Sequence, residues 1–119
     1  MLKTKSIEKR SSKKDGFRVC VMRRIRPEYK FDIWMPVISP SEKLLQKYVI
    51  DKEIRWDEFK PLFKEELLKN RYFVQVLAAM SQQKTVTLLC VEEDHSTCHR
   101  SIITDLISEM RPEIKVRHI

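Results

Sequence analysis

The sequence predicts an α/β fold with a small, mostly parallel central sheet flanked by helices and a βαβ unit at its C-terminal end. Two patterns support this prediction. Residues 85–91 form a continuous β-branched and apolar run, which is typical of a strand covered on both faces. Residues 101–110 place their apolar side chains along one helical stripe, and residues 114–119 have the pattern of a last strand. Strand, helix and strand of this size predict two parallel strands joined by a crossover helix.

The N-terminal segment, residues 1–14, is a basic leader. Residues 2–7 have the pattern of a short edge strand whose lysines protect the edge, and a mobile loop is expected after them. Asp15 and Gly16 are a strong turn signal, and residues 17–23 alternate as a second strand. At 119 residues, the chain has the length of a single domain.

The middle of the chain predicts three helices. Residues 24–40 contain three prolines and are expected to be irregular. Ser41 then has the position of an N-cap for the first helix. Aromatic and apolar residues at helical spacing predict a second helix from Trp56, restricted or kinked by Pro61, and a third helix across residues 72–80.

The composition excludes some classes of function and disfavours others. The single glycine, Gly16, excludes Gly-rich phosphate loops, because each needs several glycines in a short run. The formal net charge is +7, but the basic leader supplies most of it, so a nucleic-acid-binding face is only weakly indicated. Three cysteines, with no apolar run suited to a signal peptide or a membrane span, predict a reduced cytoplasmic protein without membrane contact.

The most informative segment is the turn between the strand at 85–91 and the helix after it. Ligands bind open α/β sheets beyond the carboxyl ends of the strands, where helices present their N-termini. With Ser96 or Thr97 as the cap, Cys98, His99 and Arg100 fall in the first helical turn. Free N–H groups, the helix dipole and the forked Arg100 side chain favour an anion there. The same field is expected to lower the pKa of Cys98, with His99 as a base or hydrogen-bond donor.

Structural roles are the alternatives for each of these residues. Cys90 could form a reactive pair with Cys98, but it also fits a small core residue. Cys98 could point inward, and His99 and Arg100 could cap the helix or form salt bridges. Zinc is less favoured, because Cys90, His95, Cys98 and His99 match no paired C-x2-C spacing, and the sequence predicts neither a metal nor a cofactor.

These residues lie within a longer pattern that resembles the family known as domain of unknown function 488, especially its short, YeaO-like branch. The resemblance runs almost end to end and is most specific in the C-terminal third. The matching positions are residues 4–7, 15–19, 21, 23, 56–59, 66–67, 86–90, 92, 98–101 and 118–119.

The resemblance implies an α/β domain with a central sheet and a site that joins the Cys-His-Arg helix to an arginine after an earlier strand. Arg23 occupies that arginine position here. The family commonly has an aspartate just before it, where this chain has Met22, and residues 25–28 replace a usual Trp-Pro-Arg-Gly. If the family site needs that carboxylate or glycine, activity is altered or lost in this chain. No agreed reaction comes with the family.

Together these observations predict a protein that binds an anionic small molecule, such as a phosphate or a nucleotide. The candidate catalytic residues are Cys98 and His99. The alternatives are a nucleic-acid-binding accessory module that uses the basic leader, and a thiol-redox protein. The sequence leaves open whether the protein is an enzyme and what its oligomeric state is. The candidate ligand-binding residues are Arg23, Glu92, Arg100, Ser101 and His118.

Overall fold

The computed structural model describes residues 1–119 as a five-stranded sheet packed against four α-helices. The strands are β1 (Leu2–Ser6), β2 (Phe17–Cys20), β3 (Ile33–Trp34), β4 (Val86–Cys90) and β5 (Val116–His118). The helices are α1 (Glu42–Leu45), which continues as a π-helical segment over Gln46–Ile50, α2 (Trp56–Lys69), α3 (Arg71–Gln83) and α4 (His99–Met110). Short 3-10 turns lie at Lys13–Asp15, Pro36–Ile38 and His95–Thr97.

All neighbouring strands of the sheet are parallel, in the order β3-β2-β4-β1-β5. The predicted α/β class with a parallel central sheet is therefore confirmed. β4, α4 and β5 form the predicted C-terminal βαβ unit, and β1 lies between its two strands. β4 is the central strand and all of its residues are buried, as its continuous apolar sequence predicts.

β1 is an interior strand, so the prediction of an edge strand at the N-terminus is wrong. It pairs with β4 on one side and with β5 on the other. Lys5 does not protect an edge, because only 5% of this residue is exposed and its ammonium group donates to Asp15. Alternation along one strand cannot reveal which strands will pair with it, and the lysines gave a misleading signal.

The two faces of the sheet are covered differently. On one face, residues of β1, β2 and β4 join the buried side chains of the helices in a core of 18 residues. The cluster on the other face contains Ile7, Cys20 and Leu89 and no helix residue. Beside it, Asp15 accepts hydrogen bonds from Lys5 and Arg18, and we call these three residues the ion cluster.

A short strand, β3, lies in the segment that the sequence predicts to be irregular. Its residues pair with Val19 and Cys20 at the end of β2. Asp32, just before β3, donates its N–H to the Arg18 carbonyl and accepts the Arg18 N–H at its carboxylate. A strand of only two residues has no measurable periodicity, so the prediction missed it.

The predicted helices are present. Ser41 caps α1, because its hydroxyl accepts the Leu44 N–H at 3.2 Å. α2 begins at the predicted Trp56 and continues through Pro61, which lies inside it. α3 extends slightly beyond the predicted range at both ends. None of the helices combines the length and the apolar character that crossing a membrane requires.

Candidate functional site

The candidate site is a cavity of about 320 Å³ at the carboxyl ends of β2 and β4. After β2 the chain continues to β3, which is one edge strand of the sheet. After β4 it continues through α4 to β5, which is the opposite edge strand. A crevice between two such strands is the usual ligand position in open α/β sheets. The wall contains residues that follow these strands and residues of α1 and its π-helical extension: Met22, Arg23, Arg24, Val91, Glu92, Glu42, Leu45, Gln46, Tyr48, Val49 and Ile50.

A thiol–imidazole cluster of Cys90, Cys98 and His99 forms part of this cavity. The His99 Nδ1 atom lies 3.8 Å from the Cys90 sulfur and 3.9 Å from the Cys98 sulfur. All three atoms lie within 4.8 Å of one another. Cys90 is the last residue of β4 and His99 is the first residue of α4, so the strand-to-helix connection brings them together. Neither cysteine is in a disulfide.

A main-chain oxygen fixes the orientation of the His99 ring. The Nε2 atom lies 2.6 Å from the carbonyl oxygen of Val21, the residue after β2. A carbonyl oxygen only accepts hydrogen bonds, so Nε2 carries the proton of the neutral ring and Nδ1 presents a lone pair to the two sulfurs. The Phe63 ring packs edge-on against the imidazole at 5.6 Å between centroids.

The two thiols and the His99 imidazole interact closely, so the ionisation of each depends on the others. The Cys98 thiol lowers the pKa of Cys90 to about 3. Burial raises this pKa, and His99 contributes to lowering it. The neighbouring Cys90 and burial raise the pKa of Cys98 above its usual range. Burial opposes protonation of His99, but the adjacent Cys90 outweighs burial and raises the pKa of this imidazole. The expected lowering of the pKa therefore applies to the pair of thiols, which shares one negative charge, and not to Cys98 taken alone.

The capping prediction also needs correction. Cys98 itself is the N-cap of α4, with extended backbone and no side-chain capping hydrogen bond. Asp94 caps the preceding 3-10 turn through a 2.9 Å hydrogen bond from the Ser96 N–H. This extra turn displaces Ser96 and Thr97 from the cap of α4, so only His99 and Arg100 of the predicted triplet are helical.

Arg100 is fully buried and contacts protein atoms rather than the cavity. Its terminal nitrogens donate to the carbonyls of Glu92 at 2.6 Å and Glu93 at 3.1 Å. One of them also lies 3.4 Å from the Cys98 sulfur. Its Nε atom is buried without a hydrogen-bond partner. The side chain therefore holds the loop after β4 against α4 and directs positive charge at Cys98.

The other predicted ligand residues lie in different surroundings. Arg23 and Glu92 line the cavity, although the Arg23 guanidinium already donates to the carbonyls of Pro40 at 3.0 Å and Ser39 at 3.3 Å. The Ser101 hydroxyl donates to the Cys98 carbonyl at 2.8 Å.

His118 lies outside the cavity lining. It hydrogen bonds to Thr4, and its ring stacks on His95 at 3.7 Å. The structure therefore assembles Arg23, Glu92, Cys98 and His99 around the cavity and leaves His118 out of it.

The residue that the sequence-based site omitted is Cys90. Its position at the end of β4, on the same strand face as Glu92, suggested a reactive pair with Cys98, but a small core residue was the favoured interpretation. Tyr48 was also missed, because nothing in the sequence relates the π-helical segment after α1 to the β4–α4 turn.

A comparison with family models gives one match, which covers residues 2–111 and is described as the active DUF488-N3 subclade. The chain belongs to this family. The match confirms the resemblance to domain of unknown function 488, and it includes every residue of the cavity but not His118. No curated protein and no solved structure matches the chain.

Proposed function

We propose that this protein is an enzyme that acts on an anionic small molecule through the thiol–imidazole cluster. The observation that carries the proposal is the position of His99 Nδ1, 3.8 and 3.9 Å from two sulfurs in a cavity wide enough for a small ligand. A thiol beside an oriented imidazole is the usual arrangement for a cysteine nucleophile. The description of the matching subclade as active is in keeping with this proposal.

The proposed chemistry begins with His99. Its Nε2–H group is held by the Val21 carbonyl, so Nδ1 is free to take a proton from a thiol. The sulfur of Cys90 or Cys98 then attacks an electrophilic atom of the ligand and forms a covalent bond, while the bond to the leaving group breaks. The proton on Nδ1 passes to the leaving group as it departs. Water then attacks the group bound to sulfur and gives a proton to Nδ1, the bond to sulfur breaks, and the cysteine is restored. Cys98 and His99 keep their proposed catalytic roles, and Cys90 joins them.

The cavity wall supports a ligand that combines an anionic and an apolar part. Arg23 and Arg24 provide cations at the end of β2, and Leu45, Tyr48 and Val49 provide an apolar surface. The Arg24 guanidinium pairs with Glu42 in an exposed ion pair, which an incoming phosphate or carboxylate can replace at little cost.

The remaining predicted residues have supporting roles in this proposal. Arg100 and Ser101 are positioning residues, because Arg100 donates to the Glu92 carbonyl in the loop before Cys98 and Ser101 donates to the Cys98 carbonyl. We assign no ligand contact to His118.

Site-resolved alkylation tests the nucleophile. The full chain, reduced and kept with a chelator, is treated with limiting iodoacetamide, whose iodide the attacking sulfur displaces, and the modified cysteine is identified by peptide mass spectrometry. We expect Cys90 or Cys98 to react faster than Cys20, which lies in the cluster on the opposite face of the sheet. His99→Gln keeps an N–H group near Val21 but removes Nδ1, and it should slow the reaction at least about tenfold. Equal rates at all cysteines, or no effect of His99→Gln, would contradict the proposal.

Protection against alkylation tests the anionic ligand. Inorganic phosphate and adenosine monophosphate should each slow alkylation of the wild type, and the protection should weaken in Arg23→Ala. Arg26→Ala is the matched control, because Arg26 is exposed and outside the cavity lining. If neither anion protects the wild type, the anionic part of the proposal fails while the nucleophile remains.

Thiol-redox activity is a second candidate, favoured by the two sulfurs lying within 4.8 Å. Glutathione disulfide would oxidise the two thiols to a Cys90–Cys98 disulfide and be reduced to two glutathione molecules. Peptide mapping should then find this bridge, whereas mixed glutathione adducts alone would argue against the redox function.

The basic leader offers less positive charge to a nucleic acid than the sequence suggested, because its Lys5 is buried in the ion cluster.

A further inference from the structure

We infer that the thiol–imidazole cluster is also a binding site for Zn²⁺, with the two sulfurs and His99 Nδ1 as ligands and the cavity at the fourth position. This inference shares residues with the proposed function but does not require it to hold. Two cysteines, one histidine and an open fourth position form one of the known ligand sets of zinc enzymes.

The separations of the three atoms fit a tetrahedral zinc ion. With Zn–S near 2.3 Å and Zn–N near 2.05 Å, a sulfur and a nitrogen ligand lie about 3.6 Å apart and two sulfurs about 3.8 Å apart. The sulfur–nitrogen separations are 3.8 and 3.9 Å, and the largest separation in the cluster is at most 4.8 Å. Small side-chain rotations are therefore enough to bring the three atoms to bonding distance.

The groups around the cluster are those that support metal ligands. A histidine ligand usually donates its second ring N–H to an oxygen, and the Nε2–H of His99 donates to the Val21 carbonyl. A metal-bound thiolate is stabilised by N–H donors, and Arg100 lies 3.4 Å from the Cys98 sulfur.

The charges also balance. Zn²⁺ displaces the protons that the two sulfurs and Nδ1 of His99 still hold, and the two thiolates neutralise the charge of the ion. The Arg100 guanidinium and the start of α4 disfavour a bare cation but stabilise the sulfur anions that hold it. Glu92 lines the same cavity.

Metal binding has a consequence for thiol chemistry at the site. Both sulfurs would be bonded to the ion, so neither would be free to attack a carbon electrophile. The zinc-bound and zinc-free forms should therefore differ sharply in alkylation, which makes the two proposals separable by experiment.

Cobalt substitution tests the site directly. The reduced full chain is titrated with Co²⁺, whose thiolate complexes have near-ultraviolet charge-transfer absorption and strong visible bands in tetrahedral geometry. We expect both signals to saturate at one ion per chain and to disappear when Zn²⁺ is added. Cys90→Ser and Cys98→Ser should each weaken binding by more than the roughly 10–100-fold that loss of a supporting group costs. Cys20→Ala, the control, should leave binding unchanged.

Protection of the wild type gives a measurement that needs no variant. One equivalent of Zn²⁺ should block iodoacetamide at Cys90 and Cys98, and a chelator should restore the reaction. Absence of the charge-transfer signal, or a signal that persists in both serine variants, would overturn the inference. Metal binding without fast alkylation of the zinc-free protein would support the zinc site and contradict the nucleophile. Fast alkylation without metal binding would support the nucleophile and contradict the zinc site.

Discussion

The two faces of the sheet each bury a small group of polar side chains, and these groups differ in how completely the protein satisfies them. In the ion cluster, the Asp15 carboxylate accepts from Lys5, Arg18 and the Ser12 N–H, while the Lys30 carbonyl accepts from Arg18. The thiol–imidazole cluster instead borders a cavity, and Nδ1 of His99 has only two sulfurs as neighbours, at long distance.

The difference distinguishes a polar cluster whose bonding capacity is used within the protein from one that has capacity left. A buried polar group whose bonds are all made within the protein stabilises the fold and has nothing left for a ligand. A cluster with unused bonding capacity beside a cavity is able to bind or react. Charge alone would have selected the face of the ion cluster, because that cluster carries the stronger charges.

Removing the centre of the ion cluster should have the largest effect on stability. Asp15→Ala leaves the Lys5 and Arg18 cations buried without their partner, which should lower the free energy of unfolding by about 3–5 kcal/mol. Urea unfolding followed by circular dichroism measures the change. A loss no larger than that of a surface substitution would remove the contrast between the two clusters.

Arg100 should have an intermediate effect on stability and a distinct effect on reactivity. Arg100→Ala removes the donors to the Glu92 and Glu93 carbonyls and should cost about 1–3 kcal/mol. Arg100→Lys keeps a charge but not the forked geometry, so it should retain more stability than Arg100→Ala. Alkylation of Cys98 at a temperature where both variants are folded is the second readout. An unchanged rate in both variants would show that Arg100 acts on the fold alone.

The ion cluster should contribute to the pH dependence of stability. Burial raises the pKa of Asp15, but the Ser12 N–H, Lys5 and Arg18 outweigh it and hold the pKa below its usual value. The unfolded chain therefore binds a proton at higher pH than the folded chain does. The contribution is fully present above the unfolded pKa of about 3.9 and is lost as pH falls through the lower folded value. Acid titration of unfolding should be shallower in Asp15→Asn than in the wild type, and parallel curves would contradict this source.

An exposed ion pair provides the smallest expected effect and a baseline for the others. Lys64 and Glu109 join α2 to α4 at 3.0 Å, with about half of each side chain exposed. Glu109→Ala should change the free energy of unfolding by less than about 1 kcal/mol. A much larger loss, measured in the same urea assay, would mean that burial does not explain the Asp15 effect.

Local sequence patterns predicted the parts of the molecule that depend on local physics. The apolar run at β4, the stripe of α4 and the Ser41 cap follow from strand burial, helix periodicity and capping chemistry. The interior position of β1 did not follow from local patterns, because strand order depends on contacts between distant segments. β3 was too short to give a pattern.

The sequence predicted where the candidate site lies, but it did not predict how the side chains of the site are arranged. The position at the end of β4 followed from a general property of parallel sheets, and Cys98 and His99 were found there. The inward direction of Arg100, the cap at Cys98 and the charge shared by the two thiols depend on a 3-10 turn and on side-chain packing. Neither is encoded in residue spacing, so the sequence predicted a ligand contact for Arg100 and a lowered pKa for Cys98 alone.

The anchor of the His99 ring has a consequence for how the site can change through substitution. Its partner is the peptide oxygen of Val21, which any amino acid would supply at that position. Replacing Val21 with another apolar residue therefore leaves the anchoring atom in place, provided that the chain follows the same path out of β2. The orientation of the His99 ring depends on the path of the backbone at Val21 and not on the side chain of that residue.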